Sequence, residues 1–163
     1  MGQGTVLCGV NTMKKKHIYC GIECLCERAV DPWIIMKESG IDFTNKYFYV
    51  DDALIFSTDK RSPFPKTFHA AFFQNMIDSC CCAERLVVHL YQEGVIPQKI
   101  DDYYQYLNSL CEMVLLICDG CYFEVYAKDA DWLKAISSAA RKIPTIELNH
   151  KFEDEDTRTG FYV

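Results

Sequence analysis

The sequence predicts an α+β fold, a largely antiparallel sheet with helices packed mainly on one face and a β-hairpin in the C-terminal half. Three observations predict it. Asp119-Gly120 joins two apolar runs, and Asp-Gly in that setting is the strongest short-range hairpin signal, because a type I′ turn needs positive φ at both central positions. Strand-like and helix-like stretches are mixed along the chain around this hairpin, an order that favours antiparallel pairing under a helical layer. The longest apolar run, Met113–Cys118, has the length of a strand and falls far short of the roughly 20 residues that cross a bilayer.

Taken in order, residues 17–27 read as the first strand. Asp31-Pro32 marks a helix start, with Asp as N-cap and Pro in the first helical position, and Gly40 marks the end. Trp33, Ile35 and Met36 supply its inner side. Residues 47–50 and 53–56 are strand-like and are separated by Asp51-Asp52, and residues 60–65 form a loop with two prolines. From Thr67 to about Cys80 the spacing of Phe68, Phe72, Met76 and Ser79 predicts a helix. Residues 85–91, rich in Leu and Val, predict a central strand that stops at Gln92-Glu93-Gly94. Asp101 or Asp102 caps a short helix through Leu107, and residues 111–118 and 121–127 form the hairpin. Asp129 caps a helix to about Lys142 with Trp132, Leu133, Ile136 and Ala140 inward, and Pro144 closes it. Residues 145–148 and 160–163 read as strands flanking the acidic segment 153–156.

The chain has 163 residues, half of them apolar, enough to bury a core as one folding unit over residues 13–163. Residues 1–12 read as an accessory extension. A formal net charge of −6 argues against nucleic-acid binding through a broad basic surface, and Lys14-Lys15-Lys16 is too short to reverse that. No secretory signal is visible, and Val6 departs from the myristoylation pattern that Gly2 would begin. The expected setting is the cytoplasm, with no membrane association.

The ten cysteines are Cys8, Cys20, Cys24, Cys26, Cys80, Cys81, Cys82, Cys111, Cys118 and Cys121. Cys20, Cys24 and Cys26 share parity with Ile18 and Ile22, so in an extended strand they point to one face and act as small hydrophobes, while Tyr19, Glu23 and Glu27 take the other. Cys118 and Cys121 bracket the Asp-Gly turn and face each other across it. They are the weak candidates for a metal site, but a closed zinc site needs four ligands and no second CxxC exists. No cofactor is predicted. Among Cys80-Cys81-Cys82, neighbours that point in different directions, at least one thiol is expected to be exposed; reduced thiols are the default.

His17, His69, His89 and His150 lie on separate elements, none at metal-helix spacing from a second ligand. The phosphate-loop, nucleophile-elbow, dinucleotide and zincin motifs are absent. Asp51-Asp52, Asp101-Asp102 and the run at 153–156 read as helix caps or solvated loops. Asp119, Glu124 and the many tyrosines could converge on the sheet into an acidic pocket. Cys81, His69 and Asp119 are the only, weak, candidates for a thiol or carboxylate enzyme site.

At "YYQYLNSLCEMVLLICDGCYFEVYAKD" and again at "EDEDTRTGFYV" the chain resembles a family of short bacterial proteins, the domain-of-unknown-function family numbered twenty-six ninety-one, over residues 13–163. The resemblance implies a small bacterial cytoplasmic protein and transfers no activity or catalytic residue. Three functional readings stay open. The first is a non-enzymatic protein-interaction module, accessory or immunity-like, whose acidic surface docks a basic partner. The second is a small-ligand or metal-binding protein, and the third an enzyme with an unrecognised site. Exposed edge strands also admit a homodimer. A concave site with converging polar groups would favour the ligand reading over the first.

Overall fold

The computed structural model describes residues 17–56, 65–69, 82–156, 158 and 160–162. In chain order these hold β1 (Tyr19–Cys26), α1 (Pro32–Glu38), β2 (Lys46–Phe56), β3 (Thr67–His69), β4 (Cys82–Gln92), α2 (Tyr103–Asn108), β5 (Met113–Cys118), β6 (Tyr122–Ala127), α3 (Ala130–Ala140) and β7 (Ile146–Phe152). The seven strands form one sheet in the order β3-β2-β4-β5-β6-β1-β7, and every neighbouring pair is antiparallel. No helix among the described residues is long and apolar enough to cross a membrane.

The central strands are apolar on both sides because both sides of the sheet are covered. Leu86, Val88 and Leu90 of β4 and Met113, Leu115 and Ile117 of β5 join a first core cluster with Trp33, Ile35 and Met36 of α1 and Leu133, Ile136 and Ala140 of α3. The alternate residues Val87, Tyr91, Val114 and Leu116 join a second cluster with Tyr106 of α2, Tyr126 and Phe161. This is the period-two alternation of a strand, repeated on each side of the sheet.

The predicted caps are all present. The Asp31 carboxylate accepts from the Trp33 N–H at 2.9 Å, Asp102 from Gln105 at 2.8 Å and Asp129 from Asp131 at 2.8 Å. Each satisfies one of the backbone donors that a helix start leaves without a partner. The Gln105 side chain in turn accepts from the Asp101 N–H at 2.9 Å, which fixes the turn entering α2.

Several expectations are corrected. Residues 47–50 and 53–56 belong to one strand, because pairing with β4 steps from Val50 opposite Val88 to Asp52 opposite Val87 and leaves Asp51 as a bulge. Residues 67–69, predicted to open a helix, form β3 on the edge of β2; the rest of that predicted helix and most of the loop at 60–65 lie outside the described residues. So do residues 1–16, Cys80 and Cys81. The hairpin loop holds three residues, with Cys118 opposite Tyr122, so Cys118 and Cys121 do not face each other. The positive φ values predicted for the turn do occur, 53° at Asp119 and 65° at Gly120. Residues 160–162 form no strand. Phe161 instead donates its N–H to the Asp101 carbonyl at 2.8 Å and buries its ring in the second cluster. Finally, Cys20 does not share a face with Cys24 and Cys26. Pairing of β1 with β7 steps from Tyr19 to Gly21, and this bulge sends Cys20 into the second cluster while Ile22, Cys24 and Cys26 stay in the first.

Candidate ligand cleft over Glu124

Glu23 on β1 and Glu124 on β6 are direct register partners. Like charges placed opposite each other on neighbouring strands destabilise a sheet unless cations intervene. The cations come from β7 and the segment after it. Lys151 Nζ lies 3.1 Å from Glu124 Oε1, 3.7 Å from Glu23 and 3.7 Å from Asp156, and Arg158 Nη2 lies 2.7 Å from the same Glu124 Oε1. The Tyr122 hydroxyl donates to that oxygen as well.

Tyr126 connects the cluster to the core. Its hydroxyl donates to Asp156 at 2.9 Å and accepts from Lys151 at 3.2 Å. Burial, followed by the neighbouring carboxylates, pushes the Tyr126 phenol far up, and burial with Glu124 does the same for Tyr122. Both therefore stay protonated and act as donors to carboxylates. Arg158 also donates from Nη1 to the carbonyls of Gly160 and Tyr162, at 3.3 and 3.2 Å, which folds the last residues back over the sheet.

These groups line a cleft of about 370 Å³, within the range of small-molecule sites. Glu124 is 1% exposed. Its Oε1 takes every contact named above, while Oε2 is buried without a hydrogen-bond partner among the described residues. Tyr162, 70% exposed, stands at the rim. A Cβ built on Gly160 would collide with the Tyr162 ring, so the absence of a side chain at 160 is what lets the ring fold against the chain there.

On the other side of Gly160 and Tyr162 lies a second cleft of about 390 Å³, lined by Asp51 and Asp52 of the β2 bulge and by Asp101 and Asp102. Arg85 pairs with Asp52 at 2.7 Å and Lys99 with Asp101 at 2.9 Å. Close to it, His89 is fully buried, with neither ring nitrogen hydrogen-bonded among the described residues. Burial holds its pKa below the ordinary value, with Asp51 pulling the other way.

Of the residues singled out from the sequence, Glu124 and the tyrosines do converge, but Asp119 does not join them because it sits in the hairpin turn. His69 pairs with Tyr47, at the end of the sheet opposite that turn, so His69 and Asp119 share no site; Cys81 lies outside the described residues. Cys118 and Cys121 are partly buried free thiols. The one group of three or more potential metal ligands within reach of each other among the described residues is His17, Asp154 and Glu155, all exposed, and it contains no cysteine. Asp156, expected in a solvated loop, is an inner member of the cleft. Glu23, Lys151 and Arg158 were not anticipated. Glu23, a charge within the otherwise apolar β1, is the one sequence hint, and its meeting with Lys151 depends on a strand order that places β1 between β6 and β7.

Residues 44–162 match the model of a family described as a protein of unknown function (DUF2691). The chain belongs to that family. The matched region takes in the hairpin and the C-terminal segment, with Glu124, Lys151 and Arg158 inside it, whereas β1 with Glu23 falls before it. The chain is 31% identical over 77 residues to the uncharacterized protein YncE of Bacillus subtilis (strain 168), a match that covers 43% of this chain and 46% of that protein. It thus spans about half of this bacterial relative's length. No solved structure matches.

Proposed function

We propose that the protein binds a small cationic ligand in the cleft over Glu124. The observation that carries this reading is the buried Glu124 Oε2, which has no hydrogen-bond partner among the described residues and sits at the wall of a concave polar site. A buried polar atom without a partner costs about 1–3 kcal/mol, more when charged, and a ligand N–H would relieve that cost. Glu23, Glu124 and Asp156 outnumber Lys151 and Arg158, so the missing donor is an ammonium or guanidinium group. Helices gathered mainly on the opposite side, under the first cluster, suit this reading because they leave the cleft open. The free thiols at Cys20, Cys24, Cys26 and Cys111 support a reducing compartment, the cytoplasm.

Thermal unfolding with propylamine, propylguanidine and glucose tests it. A probe at one hundred times its Kd stabilises by about 2.7 kcal/mol, a rise in Tm of roughly 5–10 °C for a chain of this size. The two cations should raise Tm, glucose should not, and Glu124→Gln should remove the response. Absence of any response to the cations, or the same response in Glu124→Gln, would overturn the proposal.

The protein-interaction reading draws on a different observation. Tyr104, Leu107 and Leu110, at and just beyond α2, are 76%, 42% and 64% exposed, beside the acidic Asp101 and Asp102, which suits a partner both basic and partly apolar. Sedimentation of the wild type against Leu107→Glu would separate a homodimer through this face from a monomer that needs another partner.

A further inference from the structure

We infer that the two clefts on either side of Tyr162 are halves of one elongated site for an aliphatic polyamine, a ligand with several ammonium groups on a flexible chain. The inference rests on the Glu124 cleft being a cation site and extends it. Both clefts share Gly160 and Tyr162 in their walls, so a chain leaving Glu124 passes directly over the Tyr162 ring into the group of aspartates. The first half supplies Glu23, Glu124 and Asp156 against Lys151 and Arg158. The second supplies Asp51, Asp52, Asp101 and Asp102 against Arg85 and Lys99. Lys66, whose Nζ donates to the Asp51 carbonyl at 3.4 Å, adds a fifth cation, so among the described residues seven carboxylates face five cations, an excess of negative charge that suits a ligand with more than one ammonium.

The groups differ in role along the path. Glu124 Oε2, buried and without a donor among the described residues, takes one terminal ammonium. The exposed Tyr162 ring offers its face to the middle of the chain, where methylenes pack and a cation is attracted to the π system. The aspartates take the far end at the surface, where the attraction is weaker and sensitive to salt. The β2 bulge is what makes that end possible, since it turns both Asp51 and Asp52 into one cleft.

Isothermal titration of the full chain with butylamine, putrescine and spermidine, at low and at high salt, tests this. Affinity should rise along the series, with spermidine at least roughly tenfold tighter than butylamine because the second contact is made intramolecularly. The gain should shrink at high salt. Asp51→Asn combined with Asp102→Asn, where Asn still caps α2, should bring spermidine down to the affinity of butylamine and leave butylamine unchanged. Tyr162→Ala, at an exposed rim position, should weaken spermidine and keeps the test available if Glu124→Gln fails to fold. If all three amines bind equally and Glu124→Gln still weakens them, the bipartite site is wrong and the single cleft stands. If no amine binds, both are wrong.

Discussion

Gly21→Ala is the sharpest test of how the cleft is built, because two physical effects predict opposite signs for it. Glycine inside a strand is entropically unfavourable, so replacing it with alanine where space allows stabilises by about 0.5–1 kcal/mol. At Gly21, however, a Cβ would lie 2.9 Å from the Val125 carbonyl oxygen and 3.1 Å from the Tyr126 ring. The first contact is with backbone in a paired strand, which cannot rotate away, and overpacking of this kind costs about 1–3 kcal/mol. The net is a loss of up to about 2.5 kcal/mol with a midpoint of about 1, or roughly 2–4 °C in Tm at that midpoint for a chain of this length. The consequence reaches the site as well. Tyr126 lies across Gly21 and donates to Asp156, so displacing its ring loosens the contacts that hold Lys151. Thermal unfolding followed by circular dichroism measures the first effect, and amine affinity the second. A Gly21→Ala protein with a Tm equal to or above the wild type would refute the packing of Tyr126 over β1, and with it the account of the cleft floor.

Three further outcomes are expected. Lys151→Met leaves three carboxylates with less compensation at a site where the lysine side chain is only 15% exposed, and should destabilise by about 3 kcal/mol; adding Glu124→Gln should recover part of this in a double-mutant cycle read by urea unfolding. His89 is held below its ordinary pKa by burial, so between the two pKa values the unfolded chain binds more protons than the folded one. Stability is therefore complete above about pH 6.5 and falls as pH drops below it, a slope that His89→Leu should flatten in denaturation curves taken across that range. Cys20, Cys24 and Cys111 are buried, and burial pushes their thiols up to about 11, 12 and 12; Cys118 and Cys121 are only partly buried, and reagent access alone means that alkylation mapped by mass spectrometry should label these two well before the other three.

Much of the architecture could be read from local signals. The caps at Asp31, Asp102 and Asp129, the Asp119-Gly120 turn and the buried run of β5 each depend on residues within a few positions, and each occurs where expected. What could not be read depends on register. A period-two pattern assigned Cys20 to the face of Cys24, and Asp51-Asp52 to a break between strands, because alternation assumes that no residue is inserted. Thr67 to His69 carries a Phe at a spacing compatible with a helix, and only its partner on β2, Phe48 opposite Phe68, decides for a strand. At the C-terminus, Gly160, Phe161 and Tyr162 have strand-like composition, yet burying Phe161 among Tyr103, Tyr106 and Tyr126 anchors the segment without any ladder.

Both bulges act on the same side of the sheet, and this links the misread positions to the candidate site. The insertion in β1, made against β7, turns Cys20 to the side of the sheet on which Gly21 lies beneath Tyr126. The one in β2 gathers Asp51 and Asp52 into the second. Strands without bulges would turn Asp52 to the helix-covered first cluster, where its carboxylate would be buried without a partner, and Cys20 to the side of Cys24. Bulges disrupt pairing, but they place consecutive side chains on one face. Here that face carries Glu124, with one carboxylate oxygen fully engaged and the other without a donor among the described residues. The local irregularity of the sheet and the unmet polar group of the cleft thus belong to one arrangement, in which the strands that break alternation are the ones that line the site.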